Sequence, residues 1–125
     1  CNYEEDLATM ARLLHAQEDI EIIRVKDYTD KPKESGYRSM HVVVAVPVYL
    51  VHKKKMVPVE IQFRSVMMDA WASLEHELRY KNKGELSQDI VDYLKGCAET
   101  LHRVDEQMSR VRHEVLKDDN KYSDY

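Results

Sequence analysis

The sequence predicts an α+β fold, in which a β-sheet is flanked by helices and followed by a long C-terminal helix. Three observations carry this. Two β-type runs, Val42–Val46 and Val57–Arg64, stand close enough to pair as a hairpin. Apolar residues at helical spacing bracket them on both sides. A heptad-spaced seam then runs from Ile90 to Val115.

Each element follows in order. Leu7, Met10, Ala11 and Leu14 recur at helical spacing, which predicts a helix over about Glu4 to Ala16. Ile20, Ile22 and Ile23 lead a short strand to Lys26. The run Val42–Val46 is apolar on both faces, as a central strand is. In the second run, Val57, Val59, Ile61 and Phe63 point one way and Glu60, Gln62 and Arg64 the other. The hairpin strands therefore span about Arg38–Leu50 and Met56–Arg64. The basic stretch His52–Lys55 between them reads as a solvated turn rather than a site. Ser65 is placed to cap the next helix, where Met67, Ala70, Trp71, Leu74 and Leu78 form an apolar stripe with Trp71 in the core. Glu75 and His76 read as helix-face residues. Gly84 marks a break, and a last helix is predicted over 87–116. Its seam is Ile90, Leu94, Cys97, Leu101, Val104, Met108, Val111 and Val115. The far end of that seam outruns a small core, which suits a partner helix. The polar tail Lys117–Tyr125 is expected to fray.

The segment Asp27–His41 concentrates the chemistry. Lys31, Lys33 and Arg38 can neutralise phosphate charge. Gly36 lets backbone approach a ligand, and Tyr37 offers a ring on which a base can stack. Tyr37, Ser39 and His41 share a face by the period of two. With the hairpin formed, that face joins Glu60, Gln62 and Arg64 in one polar surface. A ring, a hydroxyl, an imidazole, a carboxylate, an amide and a guanidinium together suit a ligand site better than a solvated sheet.

These residues resemble the synthetase domain of RelA/SpoT-type alarmone synthetases, nearest to the small single-domain members. The resemblance rests on Asp27-Tyr28 with Pro32-Lys33 and Gly36-Tyr37-Arg38-Ser39-Met40-His41. It continues through Val59-Glu60-Ile61-Gln62-Phe63-Arg64-Ser65 and Met68-Asp69-Ala70-Trp71 to Lys81. It implies a mixed sheet flanked by helices, similar to the nucleotidyltransferase fold of DNA polymerase β. It also implies GTP pyrophosphokinase activity: transfer of pyrophosphate from ATP to the 3′-hydroxyl of GDP or GTP, with magnesium (Mg2+), giving ppGpp or pppGpp.

Residue by residue, the resemblance implies that Tyr37 stacks on guanine and that Lys33 holds acceptor phosphates, with Lys31 and Arg38 nearby. Ser39 and His41 line the acceptor site. Glu60 is the catalytic carboxylate and a magnesium ligand, supported by Gln62 and Arg64. Arg24 and Lys26 resemble a basic motif near the phosphates. Homo-oligomers through the C-terminal helices are expected, and RNA or an alarmone as effector is left open.

The chain begins at Cys1 without Met, at a point that falls inside the family's domain. The Asp-Ile-x-Gly-x-Arg strand, whose Asp is the family's other magnesium ligand, and the ATP-binding basic residues are not among these residues. Weak or no synthesis by the 125 residues alone is therefore expected. The second reading is a non-catalytic guanine-nucleotide or RNA-binding module that keeps only the acceptor half-site.

Composition bounds the rest. The 125 residues suit one domain, residues 1–125. A net charge of −4 argues against a sequence-independent nucleic-acid coat. Cys1 and Cys97 make no disulfide framework. No signal peptide and no long apolar run are visible, so a cytoplasmic protein without membrane contact is expected. No P-loop appears, so nucleotide binding must use side chains.

Overall fold

The computed structural model describes residues 1–121. The element order is α1 (Asp6–His15), β1 (Glu21–Asp27), β2 (Met40–Tyr49), β3 (Lys54–Phe63), α2 (Val66–Lys81) and α3 (Gln88–Lys121). The α+β class is met. The three strands form one sheet in the order β1-β2-β3, and both pairings are antiparallel. The mixed sheet implied by the resemblance is thus represented here by antiparallel pairs.

The twofold alternation of β2 decides where the core lies. Met40, Val42 and Val44 point to one face and are buried with Leu7 of α1. Ala11 and Leu14 of α1, Ile20 and Ile22, and Ile61 and Phe63 of β3 close that layer. The opposite face carries His41, Val43 and Ala45, and there the site is built.

A second core joins the loop before β2 to the two long helices. Tyr37, Met68, Trp71 and Ala98 are buried together, with Ala72, Leu94 and Leu101 packed around them. The Trp71 indole N–H donates to the Leu94 carbonyl at 2.8 Å, which fixes α2 against α3. Trp71 is core, as expected, but the inward stripe of α2 differs from the predicted one. Met68, Trp71 and Ala72 face in, while Leu74 and Leu78 are exposed along a groove of about 1180 Å³ between α2 and α3. The Ser65 hydroxyl caps α2 by accepting from the Met68 N–H at 3.2 Å.

The predicted heptad seam is only partly the packed face of α3. Leu94 and Leu101 pack inward, whereas Ile90, Met108, Val111 and Val115 are exposed. Beyond Leu101 the inward face turns polar. Asp105 and Ser109 are buried, and Arg112 donates to Glu5 and to Asp6 Oδ1, the latter at 2.9 Å. A hydrogen bond from His113, with others from Ser109 and Arg112, holds the Glu5 carboxyl down to about 2. These ion pairs seat the chain's N-terminal turn on α3. The helix runs on to Lys121, five residues past the predicted end at 116, so the tail from Lys117 is helical that far. Residues 122–125 of the tail expected to fray lie outside the described residues.

Candidate functional site

Strand register assembles the polar face. His41 pairs with Lys26 on β1 and with Gln62 on β3, and Val43 pairs with Arg24 and with Glu60. Directly paired residues share a face. Arg24, Lys26, His41, Glu60 and Gln62 therefore stand on one side of the sheet. Strict alternation along β1 would have placed Arg24 and Lys26 with Ile22, on the Leu7 side. A bulge between Ile22 and Arg24 shifts the register and re-aims both cations.

A hydrogen-bonded row runs down β3. His41 Nδ1 lies 3.0 Å from Glu60 Oε1. Gln62 Nε2 donates to the same oxygen at 3.2 Å. Arg64 donates to Gln62 Oε1 at 2.7 Å and to Asp69 Oδ1, in the first turn of α2, at 3.2 Å. Asp69 belongs to the site although its sequence position gave it no role; the only sign was its place five residues after Arg64 in a helix's first turn. The Glu60 carboxylate is about half-exposed (47%) and stands open to a ligand.

The loop before β2 supplies the other wall. Its base is closed by the Tyr28 N–H donating to the Ser39 carbonyl at 2.8 Å, and its tip by Gly36 N–H to Lys33 O, also at 2.8 Å. Lys33 Nζ sits 5.0 Å from the Tyr28 ring centre and 5.4 Å from that of Tyr37. The Arg64 guanidinium carbon lies 5.6 Å from the Tyr37 ring centre. Tyr37 is tilted 31° against Trp71 and edge-on to His41, so its ring is buried. Tyr28, also unassigned from sequence, contacts His41 edge-on at 5.6 Å.

The structure therefore brings together His41, Glu60, Gln62, Arg64, Lys33 and Tyr37, with Arg24 and Lys26 on the same sheet face. Lys31 is exposed on the loop. Two residues stand apart. Ser39 is fully buried and its hydroxyl has no partner among the described residues, so it does not open on the surface. Arg38 leaves the loop on the other side, where its guanidinium donates to the Thr29 carbonyl.

Burial pushes the His41 imidazole below the usual histidine value; Lys33 and Arg64 act in the same direction, against the Glu60 carboxylate. The imidazole is thus neutral at pH 7, and its contact with Glu60 is a hydrogen bond rather than an ion pair. A depressed histidine pKa contributes stability that is present above about 6.5 and lost as pH falls through the folded value. In nucleotide-free and metal-free protein, NMR titration should place His41 below the ordinary histidine value of about 6.5. Glu60→Gln should lower it further by removing the opposing charge. Titration above 6.5 would refute this balance.

Comparison with known proteins assigns the chain to a family. Residues 1–85 match the family model described as the region found in RelA / SpoT proteins. The chain is 40% identical over 115 residues to the GTP pyrophosphokinase YwaC of Bacillus subtilis, covering 92% of this chain and 55% of that protein. It is 39% identical over 115 residues to YjbM of the same organism, also a GTP pyrophosphokinase, covering 92% and 54%. The chain thus spans about half the length of the curated relatives it matches. Among solved structures, small alarmone synthetase 2 of B. subtilis superposes with a TM-score of 0.88 at 39% identity, over 91% of this chain and 62% of that one. Small alarmone synthetase 1 of B. subtilis, bound to its product pppGpp, gives 0.87 at 39%, over 92% and 59%. With residues 1–85 matched by that family model, the chain belongs to the RelA/SpoT family.

Proposed function

We propose that this chain carries the acceptor side of a cytoplasmic GTP pyrophosphokinase. In this reading, the β,γ-pyrophosphate of ATP passes to the ribose 3′-hydroxyl of GDP or GTP, giving ppGpp or pppGpp and AMP. The observation that carries it is the row His41–Glu60–Gln62–Arg64 beside the Lys33–Tyr37 loop, in a chain about 40% identical to pyrophosphokinases.

Glu60 acts on the hydroxyl. A ribose hydroxyl is a poor nucleophile near neutral pH, and a positioned carboxylate that accepts its proton raises its reactivity. His41 and Gln62 hold Glu60 Oε1 and so fix the carboxylate plane. Lys33, Lys31, Arg24 and Lys26 meet phosphate charge. Lys33 and Arg64 cover the Tyr37 ring in the free protein; guanine takes their place over it as they turn to the phosphates.

Magnesium suits this donor set. Glu60 offers a hard oxygen, and among the described residues no three His, Cys, Asp or Glu side chains group to hold a metal alone. One or two carboxylates plus substrate phosphates is the usual magnesium arrangement. The ion, when bound, offsets charge that builds on the transferred group. Residues 1–125 belong to one synthetase domain in this reading. The exposed residues of the helix predicted over 87–116, Met108, Val111 and Val115, meet a second copy.

The test uses the chain as its gene encodes it, with labelled ATP, GDP or GTP, and magnesium, the products being separated by charge. Appearance of ppGpp or pppGpp with AMP supports the reading. Guanine-nucleotide binding without product would favour the non-catalytic module. Neither product nor binding would overturn both.

A further inference from the structure

Arg38 sits inside the loop that forms the acceptor wall, yet its guanidinium is on the far side from Tyr37 and His41. It donates to the carbonyl of Thr29, at the opposite end of the same loop, and lies 3.9 Å from Glu4 Oε1. The other oxygen of Glu4 meets His102 Nδ1 of α3 at 2.7 Å. The Glu4 backbone N–H donates to Asp105 Oδ1, also on α3, at 3.1 Å. All these groups are screened from water: the side chains of Arg38, Glu4 and His102 are 18%, 17% and 19% exposed. Such a charge-assisted chain holds its geometry better than an exposed surface pair does.

The loop has a second bearing on the same helix. Gly36 lies so close to α3 that a Cβ there would come within 2.9 Å of Ala98 Cβ and 3.3 Å of the Lys95 carbonyl. Residues 95, 98 and 102 follow the i, i+3, i+7 spacing of one helix face. The acceptor loop therefore rests on α3 at two points, one a glycine contact and the other an ionic chain routed through Glu4.

We infer that Arg38 is a positioning residue rather than a phosphate ligand, and that the Arg38–Glu4–His102 strut sets the pose of the guanine-nucleotide acceptor loop from α3. This rests on the acceptor reading above. A residue that contacts phosphate is felt in proportion to the phosphates present. A strut is felt equally by every guanine nucleotide, and it is broken equally well from its α3 end.

The experiment uses the full chain as its gene encodes it and the variants Arg38→Ala, His102→Ala and their double. Calorimetric affinities for GMP, GDP and GTP are measured, together with hydrogen exchange of the loop amides without nucleotide. Each single variant should weaken all three nucleotides by a similar factor, roughly five- to tenfold, a part of what one charge-assisted hydrogen bond contributes. The double should be no worse than the singles. The Lys33 and Gly36 amides should exchange roughly tenfold faster in either variant. Arg38→Lys should restore most of the affinity by keeping the charge beside Glu4. Should His102→Ala fail to fold, Glu4→Gln cuts the same chain with its shape kept.

A loss in Arg38→Ala that grows with phosphate number, with His102→Ala or Glu4→Gln silent in both measurements, would overturn the strut. If the parent protein binds none of the three nucleotides, the acceptor reading fails. The exchange rates then still decide whether the strut exists.

Discussion

Glu60→Gln should reduce pyrophosphate transfer by roughly 10²- to 10⁴-fold, the range expected when a positioned acid–base group is removed. Acceptor affinity should stay within about twofold if, as proposed, Glu60 serves the reaction rather than binding. Glutamine keeps the shape and an amide oxygen on which the neutral His41 Nδ1–H can still bond. Gln62 and Arg64 keep their own hydrogen bond at 2.7 Å. In the proposed reaction, the substitution removes the negative charge that would accept the hydroxyl proton and the hard oxygen donor that would meet magnesium. The measurement is single-turnover synthesis alongside calorimetric GDP binding in the full chain. Normal turnover by the variant would remove Glu60 from the chemistry. Lost turnover together with lost GDP binding would assign it to acceptor binding instead.

The parts of this site that were legible in the sequence share a property: each follows from a local rule. The alternation Val57 to Phe63 fixed the Glu60–Gln62–Arg64 face, and the apolar run Val42–Val46 made β2 the central strand. Ser65 before an apolar stripe gave the cap of α2. What was hidden depends on tertiary contact. The bulge that turns Arg24 and Lys26 toward the site is a feature of pairing register, invisible to a period of two. Alternation put Tyr37 on the right face, but it could not say that Trp71 and Ala98 of α3 would bury its ring, or that Ser39 would be closed off from the surface.

The inward face of α3 shows the same limit more sharply. Apolar spacing selected Met108, Val111 and Val115, which are exposed, because hydrophobic periodicity recognises only apolar contact. The residues that turn inward there are Asp105, Ser109 and Arg112, and their partners are Glu4, Glu5 and Asp6 at the other end of the chain. An ionic interface of this kind carries no periodic signal. It explains why Arg38 reads as a phosphate ligand in sequence and as a tie to α3 in the structure.

Gly36→Ala should weaken guanine-nucleotide binding by roughly tenfold to a hundredfold while leaving ATP affinity unchanged. Two physical effects combine at this position. Gly36 has a φ of +87°, which an L side chain adopts at a cost of about 1–2 kcal/mol. The new methyl group would also press on Ala98 Cβ at 2.9 Å and the Lys95 carbonyl at 3.3 Å. Neither neighbour can swing away, because one is a Cβ and the other is helix backbone, so the loop itself must lift from α3. Overpacking of this type typically costs about 1–3 kcal/mol. As it lifts, the bonds from Gly36 N–H to Lys33 O and from Lys33 N–H to Tyr37 O weaken, and the ring and cation they hold lose their places. Ala98→Gly separates the two effects. It relieves the Ala98 contact but neither the Lys95 carbonyl contact nor the φ strain, and alone it costs α3 about 1 kcal/mol in helix propensity. In the Gly36→Ala background it should therefore restore part of the acceptor affinity, with a coupling of about 0.5–3 kcal/mol between the two sites. Strictly additive substitutions, with GDP affinity unchanged in Gly36→Ala, would mean that the loop does not take its pose from α3.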